Sequence, residues 1–172
     1  MTARSGNEIA AMVLRAARGA GVPLAMAEDL AAATGWAEGD LGAFSDALTT
    51  DAPPAQFEGL TVTGLRAAYD GPLAIDLALA YPGKRITING VDEPRVLRAL
   101  VRSAAQLNGL PFRLDQRVLV AGEGPATPPP CLRADVDDTI WERLARLAAK
   151  TYVPDSEASR LSGAGAGLSD ND

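Results

Sequence analysis

Apolar side chains recur at helical spacing near the start of the chain, which predicts a first amphipathic helix. Ser5 and Glu8 stand at the spacing of a capping box, in which the serine oxygen accepts a backbone hydrogen bond and the glutamate reaches back. Gly19 and Gly21 are expected to end this helix. Its apolar stripe consists of Ile9, Met12, Val13 and Ala16.

Two further helices are expected in the amino-terminal third. Pro23 suits the first position of a helix that runs through an alanine-rich stretch to Gly35. Asp40 or one of its neighbours is placed to cap a shorter helix that runs through Leu41, Phe44 and Leu48. These three segments together predict a small helical layer.

The pattern becomes extended after a pair of adjacent prolines. A short strand is expected from Phe57 to Val62 despite Gly59, and a clearer strand and turn from Lys84 to Gly90. Residues 112–121 form a further strand region, and residues 132–136 another short strand.

Residues 73–81 fit two structures. Alternation of leucine and isoleucine with smaller residues is typical of a strand, whereas the leucine and alanine content and the Asp70-Gly71-Pro72 start favour a helix, which we prefer. The choice decides the role of Asp76. If the segment is buried, Asp76 needs a partner or has a raised pKa and could act as a general base; on an exposed helix face it only solvates the surface, the interpretation we favour.

Two amphipathic helices complete the pattern. Asp92 is expected to cap the first, which ends at Asn108-Gly109, and Asp137 to begin the second. The apolar positions of these helices are Val96, Leu97, Leu100, Val101, Ala104, Ile140, Leu144 and Leu147.

Helices at both ends of the chain around a small mixed or antiparallel sheet predict a two-layer α+β fold. Residues 1–153 are expected to form a single globular domain. Residues 154–172 form a Gly/Ala-rich acidic carboxy-terminal tail, either docked or flexible.

The chain of 172 residues contains no histidine and one cysteine, Cys131. Missing histidine excludes a Ser-His-Asp or Cys-His nucleophile, a histidine base, a haem and an ordinary zinc site, so we expect neither a cofactor nor a metal. Cys131 is interpreted as a buried small apolar residue, which fits a reducing compartment.

The formal net charge of −6 argues against an extended basic surface for nucleic acid. No uncharged stretch approaches the ~20 residues that a membrane-spanning helix needs, and no apolar leader segment follows the amino end. We therefore predict a cytoplasmic protein that binds neither nucleic acid nor a membrane.

Residues 135–139 match the Asp-x-Asp-x-Thr string of haloacid-dehalogenase-like phosphotransferases, in which the first aspartate is a nucleophile and the second a general acid. That family supplies its remaining catalytic groups from a long downstream domain. Here, a helix and a tail follow. Asp137 as a helix cap and Asp138 at the positive end of the helix dipole explain the same residues, and we prefer this interpretation.

The carboxy-terminal run from Ser159 to Asp172 combines alternating glycine and alanine with terminal acidic groups. Glycines let a backbone pass close to another surface, and the carboxylates favour a cation or an arginine-lined groove over a phosphate. A flexible polar tail is the alternative. The candidate binding residues are Arg160, Gly163, Gly165, Gly167, Asp170 and Asp172.

Both ends of the chain resemble an uncharacterised bacterial family known only as a domain of unknown function. The resemblance rests on Asn7-Glu8-Ile9, on Ala16-Ala17-Arg18-Gly19-Ala20-Gly21 and on the Ser159–Asp172 run. It implies a bacterial cytoplasmic protein and transfers no catalytic residue.

Two functions are consistent with these features. The first is a non-catalytic binding or accessory module that presents its acidic tail to a partner chain or to a second copy. The alternative is a small histidine-independent enzyme, or a binder of an acidic metabolite, in which Arg85, Arg113 and Arg133 hold the ligand and a carboxylate does acid-base work. A cleft with convergent arginines and a buried carboxylate would favour the alternative.

Overall fold

The computed structural model describes residues 1–37 and 40–151. Within them, the helices are α1 (Gly6–Gly19), α2 (Leu24–Ala33), a 3-10 helix (Thr34–Trp36), α3 (Leu41–Leu48), α4 (Ala67–Ala80), α5 (Pro94–Asn108) and α6 (Asp138–Ala149). The strands are β1 (Thr2–Ser5), β2 (Gln56–Glu58), β3 (Thr61–Leu65), β4 (Ile86–Val91), β5 (Phe112–Asp115), β6 (Val118–Ala121) and β7 (Arg133–Val136).

Five strands form one mixed sheet in the order β2-β3-β4-β6-β5. The β3 and β4 strands are parallel and are joined through α4, whereas the other neighbouring pairs are antiparallel. The β1 strand pairs separately with β7, with Thr2 opposite Val136 and Ser5 opposite Arg133. The predicted α+β class is confirmed, and the sheet is the mixed rather than the antiparallel form.

The core lies between the sheet and the helices. Helices α4 and α5 pack on the strands. The α2 helix packs on α4 and on α5, and α1 packs on α2 and α6. Burial of these apolar faces is the main favourable term in folding. The largest fully buried side chains are Phe44, Leu30, Leu65, Ile86, Ile88, Leu100, Leu119 and Leu144.

The predicted helix caps at Ser5, Asp40 and Asp137 are confirmed. Glu8 Oε2 accepts a hydrogen bond from the Ser5 backbone N–H at 2.8 Å, and the Ser5 hydroxyl oxygen accepts one from the Glu8 N–H at 3.3 Å. Asp40 accepts from the backbone of α3, and Asp137 from the backbone of α6. Each cap supplies an acceptor for a backbone N–H that has no partner within its own helix.

Residues 73–80 are helical, which confirms the preferred interpretation, but α4 begins earlier than expected, at Ala67. Asp70, Gly71 and Pro72 therefore lie inside the helix rather than before it. Gly71 allows a close approach of α5, because a Cβ atom there would lie 2.9 Å from Leu100 Cδ1. Asp76 is exposed on this helix, as favoured from the sequence.

Several predicted boundaries were wrong because a turn or a distant partner decides them. The single strand expected from Phe57 to Val62 is a hairpin, β2 and β3, that turns at Gly59 with a φ of +57°. Pro23 is the N-cap of α2 and not its first residue. The α2 helix ends at Ala33, and the 3-10 helix carries the chain past Gly35.

Asp92 does not cap α5, contrary to expectation. Glu93 is the N-cap residue of that helix. Asp92 Oδ1 instead accepts a hydrogen bond from the Ala67 N–H at 2.7 Å, at the start of α4. The parallel pairing of β3 with β4 brings these two loops to the same end of the sheet, where the carboxylate caps the neighbouring helix.

Cys131 is exposed, so the prediction of a buried cysteine was wrong. It lies at the end of the proline-rich loop, where its backbone N–H donates to the Gly35 carbonyl at 2.6 Å. Its thiol donates to the Arg133 carbonyl at 2.9 Å. The loop is tied to the helical layer through its backbone, which leaves the cysteine side chain outside the core.

None of the helices in residues 1–37 and 40–151 has both the length and the apolar character needed to cross a membrane.

We predict that Gly19→Ala destabilises the fold. A Cβ atom at this position would lie 1.8 Å from the Leu147 carbonyl oxygen of α6, so the two helices would have to separate. Overpacking of this kind costs about 2 kcal/mol of the free energy of unfolding. Urea denaturation would measure the loss. Arg18→Ala, at an exposed position on the same turn, is the control, and equal stability of the two variants would contradict the prediction.

Candidate functional site

A cleft of about 280 Å³ lies between α5, β5 and the proline-rich segment 125–128. Three arginines line it: Arg98 and Arg102 from α5 and Arg113 from β5. We call this cavity the arginine cleft. Asp115 is its one acidic lining residue among those described, so the side chains at the cleft are predominantly cationic on a chain whose net charge is −6.

The two helical arginines reach the same cleft because residues four apart lie on one face of a helix. The opposite face of α5 carries the buried side chains of Val96 and Leu100, which fix the rotation of the helix about its axis. Arg113 comes from an edge strand, next to Phe112, whose ring is buried under the cleft.

The guanidinium group of Arg113 has a partner for one of its nitrogens and none for another. One of its terminal nitrogens, Nη2, lies 3.2 Å from Glu123 Oε2. Its Nε lies 3.7 Å from Asp115 Oδ2, too far for a hydrogen bond, and this buried N–H has no acceptor among the described residues. A buried donor without an acceptor is costly. This N–H is closed off from solvent, whereas the Arg113 side chain as a whole is 37% exposed, so an anion in the cleft would bind the exposed part of the guanidinium group.

The proline-rich wall of the cleft is held by the helical layer. Trp36 Nε1 donates a hydrogen bond to the Pro128 carbonyl at 2.8 Å. Gly35 packs against Pro130, where a Cβ atom would come within 2.8 Å of the proline ring. The 3-10 helix therefore positions this wall, although the two segments are far apart in the sequence.

Among the described residues, Asp70 is the one buried carboxylate, and it lies outside this cleft. Asp70 is 5% exposed, and its Oδ2 accepts hydrogen bonds from Arg66 Nε at 2.8 Å and from the backbone N–H groups of Ala55 and Arg66. Burial alone would raise the pKa of Asp70, but the hydrogen bonds from Arg66 and Ala55 outweigh it and hold the pKa below its usual value. Asp70 is therefore a structural anion and not a general base.

Tyr69 extends the same cluster. The Arg66 guanidinium carbon lies over the Tyr69 ring, 4.8 Å from the ring centre. The Tyr69 hydroxyl faces the carbonyl oxygens of Ala20 and Leu48, each at 3.1 Å. Burial raises the pKa of the Tyr69 hydroxyl, and Arg66 opposes that rise. The hydroxyl remains a neutral donor that joins α4 to the ends of α1 and α3.

The structure divides the three arginines expected from the sequence. Arg113 lines the cleft, whereas Arg85 and Arg133 are exposed and do not line it. Arg98 and Arg102 were missed, although their spacing on a predicted helix was a usable signal. The predicted carboxy-terminal binding residues lie outside the described residues: Arg160, Gly163, Gly165, Gly167, Asp170 and Asp172.

The Asp-x-Asp-x-Thr string has structural roles. Asp137 Oδ1 accepts a hydrogen bond from the Thr139 N–H at 2.9 Å, as expected of a helix cap. Asp138 accepts one from the Thr2 hydroxyl at 2.7 Å, and Asp135 is exposed on β7. These contacts join the amino-terminal strand to α6.

In the part of the chain that the structure describes, no three histidine, cysteine, aspartate or glutamate side chains are grouped so that they could hold a metal ion.

Residues 4–45 match the model of a protein family described as a protein of unknown function (DUF3726). The matched segment contains α1, α2, the 3-10 helix and part of α3, and it excludes the three arginines of the cleft. Similarity to an uncharacterised family is thus found at the amino end. No curated protein and no solved structure matches the chain.

We predict that Asp70→Asn lowers the free energy of unfolding by about 3 kcal/mol, because it leaves the half-buried Arg66 guanidinium without its counter-charge. The folded-state pKa of Asp70 lies below the unfolded value, so its stabilisation is fully present above the unfolded pKa and is lost as pH falls through the folded pKa. Urea denaturation at several pH values would measure both effects.

The control for this variant is Asp76→Asn, an exposed carboxylate on the same helix. It should change stability by less than about 0.5 kcal/mol. Equal effects of the two substitutions, or an unchanged acid dependence in Asp70→Asn, would contradict the structural role of Asp70.

Proposed function

We propose that this protein is a non-catalytic binding module whose arginine cleft holds a small acidic ligand. The observation that carries the proposal is the convergence of Arg98, Arg102 and Arg113 on one cleft, in a chain whose net charge is −6. Guanidinium groups bind carboxylates and phosphates through charge-assisted hydrogen bonds, which are about twice as strong as neutral ones.

The dimensions of the cleft support a small ligand. Its volume of about 280 Å³ is at the low end of ordinary ligand pockets. Phe112, Leu114 and Val101 supply apolar lining, so a ligand with an anionic group and a short carbon skeleton fits better than a bare ion. A shallower hollow lined by Gln106 and Pro111 continues from Thr127, which leaves space for a longer substituent.

The lining favours binding over catalysis. Its one described hydroxyl is that of Thr127, and no base stands beside it among the described lining residues. Asp115 is exposed and lies within ion-pair distance of Arg113, whereas the buried carboxylate, Asp70, is occupied by Arg66 elsewhere. A nucleophile, a base and an orienting group do not meet in this cleft.

The acidic carboxy-terminal run is a second candidate occupant, because docking in an arginine-lined groove is one of the roles that the sequence leaves open for it, beside cation binding and a flexible tail. Asp170 and Asp172 would present carboxylates of the same chemistry as an acidic metabolite. The same segment of a second copy, or an acidic segment of a partner protein, would do so too. We also expect, from the sequence, that the protein is bacterial and cytoplasmic.

We predict that citrate and pyrophosphate bind the full-length protein and that the double variant Arg98→Gln/Arg113→Gln binds them at least about tenfold more weakly, since each removes a charged hydrogen-bond donor. Isothermal titration calorimetry at low and raised salt would measure both affinities. The matched control is Arg85→Gln/Arg133→Gln, which removes two exposed positive charges outside the cleft.

The comparison between these two variants is decisive. If the two double variants weaken anion binding equally, the anions are attracted by the net charge of the protein and the cleft is not the binding site. If neither the wild-type protein nor the variant Asp170→Asn/Asp172→Asn binds either anion, the proposed function is wrong.

We further predict that Asp170→Asn/Asp172→Asn, in the full-length protein, tightens citrate binding if the carboxy-terminal run competes for the cleft. An intramolecular competitor has an effective concentration of about 1 mM, so its removal should raise the affinity severalfold. Calorimetry with citrate would measure the change. An affinity equal to that of the wild type would show that the run does not occupy the cleft and would leave the external ligand as its occupant.

A further inference from the structure

The outer edge of β5 borders the arginine cleft. This strand stands at the end of the five-stranded sheet, so one of its edges is unpaired among the described strands. All four of its residues, Phe112–Asp115, also line the cleft. An unpaired strand edge presents backbone N–H and carbonyl groups to which another extended chain can bind.

The hydrogen-bond register decides which residue of β5 faces this open edge. Opposite residues of an antiparallel pair alternate between hydrogen-bonded and non-hydrogen-bonded positions. The Gly122 N–H donates to the Pro111 carbonyl at 2.8 Å, in register with the β5–β6 ladder. The alternation then turns the backbone groups of Arg113 and Asp115 toward β6 and those of Leu114 away from it.

The pairing of β6 with β4 gives the same assignment. The Ile88 N–H donates to the Arg117 carbonyl at 2.7 Å, and in this register Leu119 directs its backbone groups toward Ile86 on β4. Leu114 lies opposite Leu119, which therefore cannot pair with it. In the part of the chain that the structure describes, neither the N–H nor the carbonyl of Leu114 has a hydrogen-bond partner.

The open part of the edge is centred on Leu114. The other outward-facing residue, Phe112, is covered, because a Cβ atom on Gly124 would lie 2.1 Å from the Phe112 carbonyl oxygen. Pro125 and Pro128 then form the opposite wall of the cleft, and they have no backbone N–H with which to pair β5. Leu114 is half-buried and lines both the cleft and a hollow at the β5–β6 turn, so open space adjoins it.

Helix α5 supplies positive charge beside this edge. Arg98 and Arg102 are separated by one helical turn, a rise of ~6 Å along the axis. Alternate residues of a strand lie ~7 Å apart and point to the same face of a sheet. Two acidic residues separated by one position on an added strand can therefore each meet one of these arginines, and Val101 supplies an apolar surface between them.

We propose that the ligand of the arginine cleft is a short acidic peptide of another molecule, which adds to the sheet in an extended conformation beside β5. This inference rests on the proposed anion binding in the cleft. The Leu114 N–H donates to a peptide carbonyl and the Leu114 carbonyl accepts from a peptide N–H, while alternate acidic side chains face Arg98 and Arg102. Strand addition of this kind takes its affinity from main-chain hydrogen bonds and its specificity from alternate side chains.

Calorimetric titration of the full-length protein with acetylated and amidated pentapeptides tests the pairing. The peptide Thr-Glu-Val-Glu-Thr should bind at least about tenfold more tightly than Thr-Gln-Val-Gln-Thr, because its carboxylates form charged hydrogen bonds with the arginines. N-methylation of the valine or of the second glutamate removes one backbone N–H in each case. Successive N–H groups of a strand point to opposite edges, so one methylated peptide should bind at least about tenfold more weakly than the other.

Hydrogen exchange of the Leu114 amide, followed by NMR of the ¹⁵N-labelled full-length protein, reports the proposed hydrogen bond directly. Saturating acidic peptide should slow this exchange at least about tenfold. Saturating citrate should leave the exchange rate unchanged, because citrate binds the arginines without adding a strand.

A pair of single variants tests the contribution of α5. Arg98→Gln should weaken binding of the acidic peptide severalfold, because it removes one of the two charges beside the strand edge. Arg85→Gln removes an exposed charge outside the cleft and should leave the affinity unchanged. Both positions are exposed, so the dispersion of the amide spectrum should show that each variant is folded.

Three results would overturn the strand pairing: equal affinities of the two methylated peptides, an unchanged Leu114 exchange rate in the peptide complex, or equal slowing by citrate. If citrate binds the cleft and the pairing fails, the proposed anion binding stands. If citrate, pyrophosphate and the acidic peptide all fail to bind, both proposals are wrong. Faster Leu114 exchange in Asp170→Asn/Asp172→Asn without any peptide would identify the chain's own carboxy-terminal run as the occupant and would overturn the external peptide.

Discussion

The buried Asp70 carboxylate pairs with the half-buried Arg66 guanidinium at the first turn of α4, and the surrounding hydrogen bonds determine where several segments lie. Asp70 binds the chain before β2 through the Ala55 N–H, and Tyr69 binds the ends of α1 and α3. Asp92 closes the arrangement by capping α4 from the loop after β4. Because a buried ion is tolerated only with its partners in place, the helical layer and the sheet are constrained to meet at one position.

The sheet and the helices meet along α5, which has a cavity of opposite charge on each side. Arg98 and Arg102 face the arginine cleft, whereas Leu100 and Ser103 line a second cavity of about 70 Å³ that also has Asp29 and Asp76 in its lining. This separation follows from helical geometry, since residues four apart share a face and residues two apart do not. One helix can thus carry arginines at one cleft and, on another side, line a cavity that has no arginine or lysine among its described lining residues.

The segment that is similar to the uncharacterised family contributes to the arginine cleft indirectly. Trp36 and Gly35 lie within that segment, and they hold the proline-rich wall through the Pro128 carbonyl and the Pro130 ring. Tryptophan suits this position because its ring is buried in the core while its N–H reaches a backbone acceptor. The amino-terminal helical layer therefore supports a site whose charged groups come from elsewhere in the chain.

Local signals in the chain were enough to place the caps at Ser5, Asp40 and Asp137, the apolar stripes of the helices and the α+β class, because each depends on residues within a few positions of one another. The spacing of Arg98 and Arg102 belongs to the same class of signal. The start of α4, the capping role of Asp92, the exposure of Cys131 and the meeting of Arg113 with the α5 arginines depended on contacts between distant segments. These features are decided by strand pairing and by burial, since a polar group takes whichever partner the packed chain brings to it, and this partner need not be near in sequence.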